Sequence, residues 1–147
     1  MKVISIVGLL LLLAIASANG WTQNDESAPK TGQHDSVTRG KYIVESVAVC
    51  GQCHTPHNSQ HEPDGEHALQ GAPLWLLPAK TTGDWPTEAP RLAGTPPGTD
   101  EQMITLLTTG IWRDGKRPRP PMPQFRMSRQ DAEAAVAYLK SLNPPAQ

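Results

Sequence analysis

The sequence predicts an all-α domain, and three observations support that class. Three segments repeat apolar residues at helical spacing, and each begins or ends at a recognisable capping or terminating residue. No segment alternates apolar and polar residues as a half-buried strand does. The connections are long, and the chain holds 15 Pro and 12 Gly, residues that belong in loops. We therefore expect three main helices joined by long irregular loops.

The N-terminal residues predict an export signal. Lys2 precedes the apolar run Val3–Ile15, and the segment Ala16–Ala18 has the small-x-small pattern of a cleavage site. The run is short for a membrane-spanning helix. We expect residues 1–18 to be a cleaved signal peptide and the protein to be exported, as to a periplasm. An uncleaved N-terminal anchor is the alternative. Residues 19–34 are polar and are expected to form a flexible connection to a domain at residues 35–147.

The charge balance excludes one class of partner. The net charge is −1, and removal of residues 1–18 takes away one lysine and no acid, which leaves −2. A nucleic-acid-binding domain normally carries a basic excess, so we expect no nucleic-acid partner. Contact with a membrane is expected only through residues 1–18, if they are retained.

The first predicted helix runs from about Ser36 to Val49. Asp35 or Ser36 is suited to cap it, and Gly40 inside it suggests a close approach by another helix, since Gly costs about 1 kcal/mol there relative to Ala. Its predicted apolar face consists of Val37, Gly40, Val44, Val47 and Ala48.

Two more helices are predicted in the C-terminal half. The second spans about Asp100–Thr109, with Thr99 and Gln102 as a capping-box pair and Gly110 at its end. The third spans about Arg129–Leu142, with Ser128 as its N-cap. Its apolar stripe consists of Ala132, Ala135, Val136 and Leu139.

The segment from Thr55 to Pro97 has eight prolines and no sustained period. A structureless connection of this length is unusual inside a compact domain. Aromatic residues are also only 5% of the chain, so side chains alone supply little apolar bulk for a core. A large apolar cofactor, enclosed by this segment, would explain both features.

The chemistry-bearing motif is Cys50-Gly51-Gln52-Cys53-His54, a C-x-x-C-H sequence. Two thiols at this spacing suit thioether formation with the two vinyl groups of a porphyrin, and the next residue then presents an imidazole to the iron. The motif therefore predicts one covalent haem c, bound by Cys50 and Cys53, with His54 as an axial ligand.

Three other interpretations of these cysteines stay open at this point. A zinc site would combine Cys50 and Cys53 with two of the histidines, although the usual zinc patterns place a longer loop between the ligand pairs. A thioredoxin-like redox pair would need a βαβ context, and no strand pattern is present. A local disulfide is the third alternative.

The sixth ligand of the iron is expected to be Met122. It lies between prolines in a Pro-Pro-Met-Pro segment, where the backbone is restricted and a weak thioether ligand can be held in place. Met127, a histidine or no protein ligand are the alternatives. Met103 lies inside the second helix and is expected in the core.

The C-x-x-C-H motif, the methionine loop Pro120–Pro123 and the closing segment Ala134–Leu142 together resemble a class I c-type cytochrome. Arg-Gly-Lys-Tyr before the motif and Pro-Pro-Met-Pro-Gln-Phe before the last helix are similar to small cytochromes, and cytochrome domains, of bacterial periplasmic dehydrogenases. The resemblance covers about residues 36–142. It implies that the first and last helices cross at Gly40 and Tyr138.

The resemblance also implies that a proline carbonyl accepts the other ring N–H of His54, and Pro73 in Gly71–Leu74 is the best local match. From donor chemistry, Arg91, Trp112 and Arg113 are candidates to bind the haem propionates, with surface exposure as the alternative.

With His54 and Met122 both bound, the iron would have no open position for a substrate. We therefore expect an electron carrier between periplasmic redox partners, such as a dehydrogenase or respiratory complex and a terminal acceptor, rather than an enzyme. The alternatives are a haem enzyme or ligand sensor with an open distal position, and a cytochrome subunit of a dehydrogenase complex. Lys116, Arg117 and Arg119 form a basic run that suits an acidic partner or is simply solvated.

Overall fold

The computed structural model describes residues 31–80 and 85–142, and it is mostly helical, as predicted. The predicted signal peptide and most of the polar segment that follows it lie outside these residues. The helical elements are α1 (Thr31–Tyr42), a π-helical turn (Ile43–Val47), α2 (Gly51–His54), a 3-10 turn (Gly65–His67), α3 (Asp100–Thr109) and α4 (Arg129–Ser141). None of the helices described is long and apolar enough to cross a membrane.

Helices α3 and α4 begin where the capping residues predict. Thr99 and Gln102 form both hydrogen bonds of the capping box, and Gly110 ends α3 in the left-handed conformation, at φ 67°. The Ser128 hydroxyl accepts from the Asp131 backbone N–H and fixes the start of α4. The predicted core position of Met103 is confirmed, since its side chain is buried.

Helix α1 differs from its prediction at both ends. It begins at Thr31, five residues before Ser36, and it ends at Tyr42, where the chain changes to a π-helical turn. The Ala48 N–H now bonds to the Ile43 carbonyl, five residues back. This wider turn shifts the helical phase, so Ile43 is buried and Val47 is 59% exposed, contrary to the predicted apolar face.

Helices α1 and α4 cross at Gly40, as the resemblance implied. A Cβ atom at Gly40 would collide with the Ala134 carbonyl and would lie 2.7 Å from the Cβ of Tyr138. The Tyr138 hydroxyl donates to the Glu45 carboxylate, and burial together with this bond raises the pKa of Tyr138. Only a residue without a side chain allows the two backbones to approach this closely.

The loop after α2 contains a short strand pair that the sequence did not predict. Strands β1 (Ala72–Pro73) and β2 (Glu88–Ala89) are antiparallel, with Ala72 opposite Ala89. Two residues per strand are too few for an alternating pattern to be visible in the sequence. The backbone N–H groups of Leu92 and Ala93 both donate to the Leu69 carbonyl, and this fastens the far end of the loop to its start.

The Gly40 contact generates a stability prediction. The substitution Gly40→Ala should lower the free energy of unfolding by about 1–3 kcal/mol, because the methyl group must push α1 and α4 apart. Gly65→Ala is the matched control, since no atom lies within 4 Å of the added carbon, and its change should stay within about 0.5 kcal/mol. Urea unfolding followed by circular dichroism measures both variants. Equal losses would show that the crossing imposes no special demand for glycine.

Candidate functional site

The C-x-x-C-H segment lies directly after the π-helical turn. Val49 adopts a left-handed backbone conformation, with φ 46°, and turns the chain into the four-residue helix α2. Cys50 is the N-cap of α2, and its carbonyl accepts from the backbone N–H of His54 at 3.0 Å. One helical turn therefore brings Cys50, Cys53 and His54 to a single wall, as the spacing predicts.

The His54 imidazole is held by the backbone of a distant loop. Its ring is 6% exposed, and its Nδ1 lies 2.6 Å from the Pro90 carbonyl oxygen. A carbonyl oxygen only accepts, so Nδ1 carries the hydrogen and Nε2 keeps its lone pair. Burial lowers the pKa of His54, and the bond to Pro90 opposes this effect only in part. The neutral imidazole, the form that binds metals, is therefore favoured.

The predicted acceptor Pro73 is wrong. Pro73 lies in β1, opposite Glu88 in β2, while the carbonyl that meets His54 belongs to Pro90, one residue after β2. Ala72-Pro73 and Ala89-Pro90 are the same dipeptide, and Ala72 and Ala89 face each other in the strand pair. The local sequence therefore carried no signal to separate the two prolines, and the choice depends on how the loop folds back.

Cys50, Cys53 and His54 line one wall of a cavity of about 790 Å³. This volume lies within the usual range for cofactor pockets. Apolar side chains of the long loop, of α3 and α4 and of the segment between these two helices form much of the remaining wall, and Leu74, Pro86, Leu92, Leu106 and Leu139 are among them. The loop lines part of the cavity, and its enclosure of a cofactor stays a prediction.

The states of the two cysteines disfavour the thiol-based alternatives. Both are free and half-buried in the structure, so they form no disulfide. Burial raises the pKa of the Cys50 thiol to about 11, which opposes the thiolate that a redox-active pair requires.

The zinc alternative lacks its ligand cluster. Among the residues described, no three His, Cys, Asp or Glu side chains converge as they would around a metal ion. His57 instead contacts the Trp75 ring, with 6.0 Å between ring centroids, and His67 Nδ1 pairs with the Asp64 carboxylate at 2.7 Å.

All three described methionines line the cavity, but they differ in their other contacts. Met103 belongs to the buried core, and Met127 packs against that core while its N–H donates to the Leu107 carbonyl at 3.0 Å. Met122 is half-buried and is not part of this apolar cluster. Met122 therefore lines the cavity without a packing role in the core.

Two of the three predicted propionate donors also line the cavity. Trp112 and Arg113 are both in its wall, and the Arg113 guanidinium lies 5.2 Å from the centre of the Trp112 ring. Arg91 differs from its prediction. Its Nε donates to the Ala93 carbonyl at 3.0 Å, and it is not among the residues that line the cavity. The Nε group is therefore bonded to a local backbone acceptor outside the cavity wall.

The residues of the cavity fit a covalently bound haem. Two thiols and a neutral imidazole lie on one wall, methionines also line the cavity, and apolar side chains form much of the remainder beside charged residues such as Arg113. A porphyrin is a flat apolar group with a metal at its centre, and it requires axial donors of this kind. The Arg113 and Trp112 side chains add donors suited to carboxylates.

Comparison with known proteins agrees with this arrangement. The family model described as "Cytochrome c" matches residues 37–143. The chain is also similar to the fructose dehydrogenase cytochrome subunit of Gluconobacter japonicus, with 29% identity over 124 residues. That match covers 78% of this chain and 24% of the relative, so the chain spans about a quarter of the relative's length. Together with the C-x-x-C-H segment and its cavity, the match over residues 37–143 shows that this chain belongs to the cytochrome c family.

Proposed function

We propose that this protein is an electron carrier with one haem c bound covalently through Cys50 and Cys53. The observation that carries the proposal is the position of His54, whose Nδ1–H is bonded to Pro90 and whose Nε2 is therefore left for a metal in the cavity that both cysteines line. The haem supplies a one-electron iron couple when it is bound.

The proposed axial pair is His54 and Met122. The carbonyl of Pro90 fixes the tautomer and orientation of the imidazole, a role that raises the basicity of a ligating histidine. Met122 is proposed as the opposite ligand because, of the three described methionines that line the cavity, it is the one outside the core cluster. Met127 remains the alternative ligand.

Trp112 and Arg113 are proposed to bind the haem propionates. Arg113 also reaches the Pro97 carbonyl, at 3.5 Å, and stacks on Trp112, so both side chains are held at the cavity wall before any carboxylate arrives. Donors positioned in advance lose less conformational entropy on binding.

An electron carrier fits this site better than an enzyme. Two protein ligands would fill both axial positions, and the iron would then have no open position for a substrate. The rival function, a haem enzyme or ligand sensor, requires an open position opposite His54. It therefore requires that neither Met122 nor Met127 bind the iron.

Export and partners are proposed from the sequence and from the relative. Residues 1–18 are proposed to be a signal peptide, which would place the domain outside the cytoplasm. The relative is named as the cytochrome subunit of a dehydrogenase, so a dehydrogenase is the proposed donor, with an oxidase or similar protein as acceptor. The same similarity favours a second candidate function, in which this chain is itself a subunit of a dehydrogenase complex. Co-purification of the native protein would separate the two.

The proposed attachment predicts a fixed stoichiometry. After expression with haem maturation, the intact mass should increase by that of one haem, and the reduced protein should show a c-type α-band. Cys50→Ser and Cys53→Ser should each lose one thioether, which shifts the pyridine haemochrome spectrum, and the double variant should hold no covalent haem. A protein that keeps the unmodified mass under these conditions would refute the proposed function.

The proposed sixth ligand predicts different effects for two methionine variants. Met122→Ala should lose the near-infrared charge-transfer band of ferric-iron–methionine ligation, bind carbon monoxide in the ferrous state and lower the midpoint potential, because methionine ligation raises it. Met127→Leu should keep the band and the potential near those of the wild type. The reverse result would make Met127 the ligand. Absence of the band in the wild type would favour the open-site rival.

A further inference from the structure

Thr55 follows the proposed iron ligand His54 directly in the chain and is almost completely buried. Its side chain is only 3% exposed, and its hydroxyl oxygen accepts from the backbone N–H of Leu69 at 2.9 Å. Buried hydroxyl groups normally have a bonding partner, so burial alone gives Thr55 no special role. Its partner does, because the far end of the long loop is also fastened to Leu69.

Leu69 is a junction between the two ends of this loop. Its carbonyl accepts from the N–H groups of Leu92 and Ala93, at 2.8 and 2.9 Å, while its own N–H donates to Thr55. Its backbone is left-handed, with φ 59°, a conformation that residues other than glycine keep only where the surroundings fix it. The bonds to its N–H and its carbonyl provide that restraint. Loss of the Thr55 bond should therefore free Leu69 to move.

These bonds form a closed ring that begins and ends at His54. The chain leads from His54 to Thr55, whose hydroxyl is bonded to the Leu69 N–H. The Leu69 carbonyl is bonded in turn to the Leu92 N–H. Two residues before Leu92, the Pro90 carbonyl accepts from His54 Nδ1 at 2.6 Å and closes the ring. The position of this carbonyl against the imidazole therefore depends on the Thr55 hydroxyl, which acts on it through Leu69.

The segment after this junction also packs directly on the backbone beside Pro90. The Gly71 N–H donates to the His54 carbonyl at 2.8 Å, and a Cβ atom at Gly71 would lie 2.9 Å from the backbone nitrogen of Arg91. Close-packed segments transmit a displacement to their neighbours. A shift of residues 69–71 would therefore move the backbone at Pro90 as well.

We propose that Thr55 is a positioning residue for His54, and that it acts through Leu69 on the hydrogen bond between His54 and Pro90. This inference rests on the proposed electron-carrier function. It adds a residue that affects the iron couple from outside the haem cavity, since neither Thr55 nor Leu69 is among the residues that line it. A carbonyl that accepts from a ligating imidazole raises the basicity of that ligand, which favours ferric over ferrous iron. The Thr55 hydroxyl should therefore lower the midpoint potential.

The test compares haem-loaded variants that differ in one hydroxyl group. Thr55→Val keeps the shape of the side chain and removes the acceptor, whereas Thr55→Ser keeps the acceptor. Thr108→Val is the matched control, because the Thr108 hydroxyl bonds to the Ile104 carbonyl at 2.8 Å within α3, and Thr108 is not among the residues that line the cavity. Gly40→Ala is a second control, since it should destabilise the fold at the helix crossing and not in this ring.

Spectroelectrochemical titration gives the midpoint potential of each variant. Thr55→Val should shift the redox equilibrium about twofold to tenfold towards the ferrous form, a rise of about 20–60 mV at 59 mV per tenfold change. Thr55→Ser and both controls should remain close to the wild type. Displacement of an axial methionine would lower the potential, so the sign of the shift separates the two causes.

A second measurement follows the hydrogen bond itself by nuclear magnetic resonance of the ferrous protein with isotope-labelled histidine. Exchange of the His54 Nδ1 proton with solvent should be at least about tenfold faster in Thr55→Val, and Thr55→Ser should restore slow exchange. In the wild type, exchange at His54 Nδ1 and at the Leu69 and Leu92 amides should respond to urea in parallel, because the ring opens as one unit. This last comparison tests the inference even where Thr55→Val does not accumulate.

Several outcomes would overturn the inference. An unchanged potential and unchanged proton exchange in Thr55→Val would leave Thr55 a purely structural residue. An equal shift of the potential in Gly40→Ala would show that any loss of stability affects the iron couple. Independent opening of His54 Nδ1 and the Leu69 amide in the wild type would show that the ring does not connect them. A wild-type protein that takes up no covalent haem would instead refute the proposed function itself.

Discussion

The hydrogen bond between His54 and the Pro90 carbonyl is the contact on which the site depends. It joins two residues that are 36 positions apart in the chain. The backbone near each of these residues is also hydrogen-bonded to the same loop. The His54 carbonyl accepts from the Gly71 N–H. The N–H groups of the two residues at positions 92 and 93, shortly after Pro90, donate to the Leu69 carbonyl. The loop can therefore enclose the cavity only in an arrangement that also fixes the tautomer of the imidazole. Haem binding through His54 would therefore depend on the fold of this loop.

The sequence predicted best what local chemistry determines. Caps and apolar period placed α3 and α4 within one residue of their observed bounds, since Thr99, Gln102 and Ser128 form their bonds within a single turn. The π-helical turn after α1 was missed because one additional residue per turn leaves no mark in composition. It nevertheless reverses the exposure expected for Val47.

The same distinction between local sequence and tertiary structure applies to the site. A motif of five residues was sufficient to place Cys50, Cys53 and His54 on one wall, because α2 is a single turn. The carbonyl that accepts from His54 depends on which of the two Ala-Pro dipeptides lies next to the ring in the folded strand pair. Arg91 likewise donates to a backbone carbonyl whose position depends on the fold of the loop. Local sequence therefore predicts the residues that react, whereas tertiary structure selects the residues that orient them.

The architecture separates the part that holds the fold from the part that needs a cofactor. The α1–α4 crossing at Gly40 and Tyr138 is closed by direct backbone contact and by a partly buried hydroxyl–carboxylate bond, outside the cavity that the cysteines line. The long loop, in contrast, has one two-residue strand pair and a few backbone bonds to support it. Its apolar side chains face a volume that they do not fill. Apolar loop residues that line the cavity, such as Leu74 and Pro86, would therefore gain contacts when a haem is bound, whereas the α1–α4 crossing requires no cofactor.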